Sequence, residues 1–190
     1  MTAANARERA TIDWSAPGFL GRAPDQTGYV VEDLEDSVRM WSEDLGLQGW
    51  AGYRYDASYV PRRLFRGAPQ LESVTMNAIW GGGTIGLIQP VAGESLFSET
   101  LRARGPGIHH VSYFTGSVAA GRAWLASRGW EELMSGGGHG LDGDGEYAYF
   151  ARPTGLGCYL QIIEKPARRA EPHFRFDAAG RMLPNGEERH

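Results

Sequence analysis

Two stretches decide the architecture of this chain: QTGYVVEDLEDSVRMWSEDLG, Gln26–Gly46, and HVSYFTGSVAAGRAWLASRG, His110–Gly129. Laid over each other, Gln26 falls on His110 and Tyr29 on Tyr113, both at an offset of 84. The closing glycines, Gly46 and Gly129, are 83 apart, so a single-residue insertion or deletion separates the copies. A second pair repeats the relation. TIGLIQP from Thr84 matches YLQIIEK from Tyr159, with Ile85 on Leu160, Leu87 on Ile162 and Ile88 on Ile163. Self-similarity at a fixed offset marks a duplicated structural unit. The chain divides into half-units 24–90 and 108–165, joined by a linker helix within 91–107 and flanked by arms at 1–23 and 166–190.

Each unit opens with a short apolar strand and continues into a helix. Leu34, Val38, Trp41 and Leu45 are spaced 4, 3 and 4 and predict one buried stripe, with Asp33 as N-cap and Gly46 as the stop. In the second unit Ser117 caps, Val118 and Leu125 share a face, and Gly129 ends the helix. Strands follow each helix. Ser73–Trp80 and Thr84–Pro90 flank Gly81–Gly83, a hairpin signal. EYAYFARP and GCYLQIIE flank Thr154–Leu156 in the same way. In the linker, Phe97 and Leu101 lie one turn apart.

Composition narrows the class. At 190 residues, 42% hydrophobic and 22% charged, the chain suits one packed domain or two small modules and is too apolar for general disorder. Its 27 glycines are about twice ordinary usage but follow no collagen period. No apolar run approaches the ~18 residues of a membrane span, and the N-terminus has no apolar leader core. A net charge of −4 gives no global attraction for nucleic acid. The lone Cys158 excludes an internal disulfide and points to a reducing, cytoplasmic setting.

The segments DQTGYVVEDLEDSVRMWSEDLGLQGW, IGLIQP, GPGIHHVSYF and EYAYF…CYLQIIE resemble the vicinal oxygen chelate superfamily, which includes glyoxalase I, methylmalonyl-CoA epimerase and extradiol dioxygenases. The resemblance covers roughly 24–165 and is nearest to the epimerase and glyoxalase-like branch. It implies an α+β fold in which two βαβββ half-units form a mixed, curled sheet around one cleft. It also implies a metal held by four inward side chains, one on the first and one on the last strand of each unit. In this sequence those positions are Gln26, Gly86, His110 and Gln161.

That set departs from the family pattern, because relatives place Glu or Gln where Gly86 stands and Glu where Gln161 stands. Two neutral carboxamides and one imidazole hold a hard dication poorly. A divalent metal on Gln26, His110 and Gln161, completed by waters, would be weak, and no tightly bound cofactor is expected. Glu164 is an odd number of residues from Gln161 and so points to the other face. By the same alternation His109 faces away from His110.

Two functional readings stand. One is a small-molecule enzyme of the isomerase, lyase or cyclase kind, moving a proton next to a carbonyl. His110 then serves as base or acid, and Gln26 and Gln161 stabilise the oxygen. Glyoxalase I and extradiol dioxygenase activities are not expected, since their ligand sets are missing. The other is a metal-free ligand-binding or drug-sequestering protein of the bleomycin-resistance type, in which His110 only hydrogen-bonds. Either way the partner is a small organic ligand with carbonyl or aromatic character, in a cleft shared by both half-units, and the resemblance implies a homodimer.

Gly86, Trp80, Tyr113, Arg62, Arg63 and His139 are the expected substrate-binding residues. The stretch Tyr53–Gly67 interleaves Arg54, Arg62, Arg63 and Arg66 with aromatics. It reads as a grip for a carboxylate, a phosphate or a flat ring, or as a solvated hairpin edge. Trp50 and Trp80 read as core or cleft wall. The glycine-rich Ser135–Tyr147 reads as a flexible loop over the cleft that brings His139 to the site.

Overall fold

The computed structural model describes residues 21–154 and 156–184. Most of the expected N-terminal arm, 1–20, lies outside the described residues. The first unit comprises β1 (Gln26–Val30), α1 (Leu34–Leu45), β2 (Ala51–Tyr55), a small hairpin of β3 (Arg62–Phe65) and β4 (Ala68–Pro69), then β5 (Val74–Trp80) and β6 (Ile85–Ala92). The connecting helix α2 spans Leu96–Arg104. The second unit comprises β7 (Gly107–Phe114), α3 (Val118–Ser127), β8 (Glu131–His139), β9 (Gly145–Ala151) and β10 (Tyr159–Glu164). Two short strands follow, β11 (Phe174–Phe176) and β12 (Met182–Pro184).

The helix ends are set as their residues dictate. Asp33 accepts from the Asp36 amide at 2.8 Å, and Gly46 takes the left-handed conformation at φ 70°. Leu34 and Val38 are fully buried, but Leu45 is exposed. The buried face runs Leu34–Val38–Ser42 instead, and the Ser42 hydroxyl is satisfied by the Leu47 carbonyl at 2.9 Å. In α2 a reciprocal bond between Ser95 and Ser98 closes the N-terminus. Glu164 caps α3, its Oε2 accepting from the Val118 amide at 3.0 Å, on the face opposite Gln161 as alternation requires.

All strands join one mixed sheet in the order β12-β11-β2-β5-β6-β1-β7-β10-β9-β8-β3-β4. The half-units meet at the antiparallel pair β1·β7, and within each unit the first strand runs parallel to the last, β1 with β6 and β7 with β10. The helices α1 and α3 cover one face with separate apolar cores, one around Leu34, Val38, Trp50 and Leu87, the other around Val118, Leu125, Phe150 and Ile162. The other face curves around a cleft. Only residues 56–61 separate β2, in the first half of the sheet, from β3, which pairs with β8 in the second.

Two expectations about the ends and loops are corrected. The C-terminal arm belongs to the domain as far as it is described: β11 pairs with β2, and Phe174 and Phe176 are buried in the α1 core. Ser135–His139 is strand, not loop, because Gly136 and Gly137 pair with Tyr147 and Glu146 of β9, leaving a short turn at 140–144.

Candidate functional site

Cross-strand register brings the site together. Gln26 on β1 and Gln161 on β10 both lie opposite Ser112 on β7, and Gln161 also faces Tyr149 on β9. Directly opposed residues share a sheet face, so these four side chains form a row across the floor of the cleft. A neighbouring row holds Gly86, Gly28 and His110. The Ser112 hydroxyl donates to Gln161 Oε1 at 2.5 Å and lies 3.5 Å from Gln26 Oε1. With its oxygen turned to Ser112, Gln161 also hydrogen-bonds His110 and Tyr149, so the Gln26 N–H group is the donor left for other partners. All of these polar side chains are buried.

His110 lies flat against β1. A methyl at Gly28 would stand 2.0 Å from the ring Cε1, so only glycine leaves room for the imidazole. Opposite, the β1·β7 register shifts: Gly28 faces His110 and Tyr29 faces Ile108, leaving His109 as an extra residue. This irregularity overturns the expectation that His109 faces away. The two rings approach through their Nδ1 atoms at 3.0 Å. His109 packs against Phe97, with centroids 4.6 Å apart, and against Tyr159 at 4.9 Å.

Burial holds both imidazoles neutral. His109 is pushed down to about 3 by desolvation, against the opposing effect of the Leu96 backbone. His110 is driven well below the ordinary histidine range by burial first and by His109 second, while a hydrogen bond to Gln161 opposes the shift. Neutral rings at a 3.0 Å Nδ1 contact can share one hydrogen: one donates, the other accepts.

The cavity above these rows has a volume of about 140 Å³. Its walls are tyrosines: Tyr53 and Tyr55 from β2, Tyr59 from the following turn, and Tyr147 and Tyr149 from β9. The Tyr55 and Tyr147 rings meet at 6.5 Å, joining the two halves of the sheet. Burial raises both phenols, Tyr147 to about 12, so both remain protonated at neutral pH. Arg63 and Asn77 also line the cavity, and Arg63 Nε and Asn77 Oδ1 are buried without hydrogen-bond partners.

Of the residues expected from the sequence, Gln26, Gly86, His110, Gln161, Arg63 and His139 line this one cavity. Arg62, Trp80 and Tyr113 do not. Arg62 is exposed beside Gly137. Trp80 follows Ile79, which faces the cavity, so alternation turns its indole to the α1 core, where Nε1 donates to the Gln48 carbonyl at 3.0 Å. Tyr113 follows Ser112 and packs against the α3 core for the same reason. Trp50 is core, its Nε1 donating to the Leu47 carbonyl. Burial raises the Cys158 thiol, which disfavours a thiolate there. Ser112, Tyr149 and Asn77 were not anticipated. Ser112 was accessible to the period-2 rule, two residues after His110, whereas Tyr149 and Asn77 required the strand register.

Comparison with family models matches residues 25–150 to the glyoxalase/bleomycin resistance protein/dioxygenase superfamily. The chain belongs to this superfamily. Among solved structures, a hypothetical protein from Bacillus halodurans superposes with a TM-score of 0.54 at 18% identity, over 78% of this chain and 98% of that one. Methylmalonyl-CoA epimerase from Mycobacterium tuberculosis gives 0.54 at 16%, over 75% and 87%. The Streptomyces coelicolor methylmalonyl-CoA epimerase E43Q variant, in complex with 2-nitronate-propionyl-CoA, gives 0.51 at 18%, over 76% and 97%. At such identities these likenesses establish the fold. No curated protein sequence matches the chain.

The metal that the superfamily resemblance implies does not fit the side chains at this site. The four corresponding positions supply one imidazole, two carboxamides whose oxygens face Ser112, and a glycine. Among the described residues, no three His, Cys, Asp or Glu side chains converge. Without a carboxylate nothing in the set offsets the charge of a dication.

Proposed function

We propose that this superfamily member is a small-molecule enzyme of the isomerase or lyase kind that moves a proton next to a carbonyl, with His110 as the base. The observation that supports this reading is a buried, neutral His110 beside Gln161, to which it is hydrogen-bonded, and beside Gln26, whose amide group remains available as a donor. When His110 donates its Nδ1 hydrogen to His109, its Nε2 is left as a lone pair. Nε2 then takes the proton from carbon, the carbonyl oxygen gains the negative charge, and the carboxamide N–H group of Gln26 stabilises it, joined by Gln161 when it exchanges its bond to Tyr149 for the oxygen. Return of the proton from His110 to another atom of the enolate, or protonation of its opposite face by water, gives an isomer, and departure of a β-substituent with its bonding pair gives a lyase product.

Exchange chemistry tests this directly. In D₂O, the protein should catalyse hydrogen–deuterium exchange α to the carbonyl in at least one member of a panel of 2-oxo acids, enones and thioesters. His110→Ala should slow that exchange by roughly 10²–10⁴-fold, the range for a positioned general base, while ligand binding persists. The tyrosine-lined walls favour a second reading, a ligand-sequestering protein. Tight binding with no exchange in any member of the panel would select it.

A further inference from the structure

The chain carries more acids than bases, 23 against 19, yet no Asp or Glu lines the cavity among the described residues. Three cations do: Arg63, Lys165 and Arg169. Lys165 and Arg169 are exposed, and the Lys165 ammonium is lowered by partial burial first and by the Arg169 charge second. Arg63 differs from both. It is 5% exposed and pairs with no carboxylate among the described residues. Its Nη1 donates to the Ser73 carbonyl and hydroxyl at 2.5 and 3.1 Å, and its Nη2 to the Leu71 carbonyl at 2.8 Å.

These bonds leave Nε–H, which is buried without an acceptor, and the second Nη2 hydrogen. A guanidinium presents Nε–H and one Nη2 hydrogen along one edge, the fork that meets a planar carboxylate through both oxygens. Buried charges are ordinarily paired, and neutral acceptors alone leave this one uncompensated.

We propose that the cavity binds a small carboxylate with an apolar or aromatic body, with Arg63 as its counter-ion and the tyrosines around its body. This rests on the reading of the cavity as the ligand site and adds the charge of the occupant. A phosphate fits less well, because its tetrahedral dianion needs more donors than one guanidinium edge supplies. Lys165 and Arg169 then act at the mouth, drawing the anion in.

The test uses the full ¹⁵N-labelled chain, with benzoate, benzamide and inorganic phosphate as probes. Benzoate should shift the Arg63 Nε–H resonance, slow its exchange with water, and move the His110 ring signals. Benzamide should need at least tenfold higher concentration. Arg63→Lys should weaken benzoate at least tenfold and leave benzamide unchanged; should that variant not fold, the wild-type Nε–H signal decides alone. Equal affinity for benzoate and benzamide overturns the carboxylate inference, while His110 shifts still mark the cavity as the ligand site. Phosphate moving Arg63 with benzoate inert overturns it in the same way. Silence of His110 toward all three probes overturns this inference and the reading beneath it.

Discussion

His109 and His110 are neutral because they are buried, and this has a consequence for stability. The folded-state value of His109, about 3, lies below the ~6.5 of an unconstrained histidine, so the unfolded chain takes up the proton first. The stabilisation is therefore complete above pH 6.5 and is lost as the pH falls toward 3. Each such histidine contributes a slope of about 1.4 kcal/mol per pH unit in that window. His110 acts in the same direction. Asp56, held at about 2 by Ser58 and then Arg54, adds its loss only below about pH 4. His139 is lowered by burial as well, so urea midpoints between pH 6.5 and 4.5 should fall steeply, and His109→Gln should remove one histidine's share of the slope. A flat profile for the wild-type protein would show that these rings are hydrated and free to charge.

At the scale of elements, the superfamily resemblance implied Gln26, Gly86, His110 and Gln161 as inward positions, and the register of β1, β6, β7 and β10 unites them on one face. Alternation failed where the backbone breaks it, at His109. Glycine was misleading in β8, where it makes room for a ring rather than a turn: a methyl at Gly136 would sit 2.4 Å from the Tyr147 hydroxyl. The hairpin edge read within Tyr53–Gly67 takes in β3, but its partner, β8, was hidden because it lies about seventy residues away in the other half-unit. Gly86 is of another kind. A methyl there would meet Ile79 Cδ1 at 3.5 Å and Gln26 Nε2 at 3.6 Å, ordinary contacts. Gly86→Glu should therefore be accommodated, at a cost of about 1–3 kcal/mol for a partly satisfied buried acid. It adds the carboxylate that the site lacks, beside a neutral imidazole. Cobalt(II) titration followed by visible absorption should show at least tenfold tighter binding than wild type, and no gain would mean that the carboxamides and His110 are not turned to a common point.

At the scale of the molecule, the C-terminal segment ties the two halves of the sheet together. It leaves β10 in the second half, passes Lys165, Pro166 and Arg169 at the cavity wall, and ends on β2 in the first half. His173 holds it there, its Nδ1 accepting from the Arg54 amide at 2.9 Å. Phe174 lies over the backbone of Gly52, where a methyl would come within 2.1 Å of the ring. Nothing in FRF, three residues among prolines and charges, announces a strand, because its partner lies more than 120 residues earlier. Its burial nevertheless makes it part of the α1 core. Phe174→Ala should cost about 3–5 kcal/mol, the range for truncating a buried phenylalanine. For a domain of this size that lowers the melting temperature by roughly 6–20 °C. The loss should be local as well as global. With the edge of β2 unpaired, amides of Ala51–Tyr55 should exchange faster than those of β7 and β10, and the cavity wall formed by Tyr53 and Tyr55 should loosen with them. A melting temperature within 2 °C of wild type, with β2 protection unchanged, would mean that the segment only rests on the sheet.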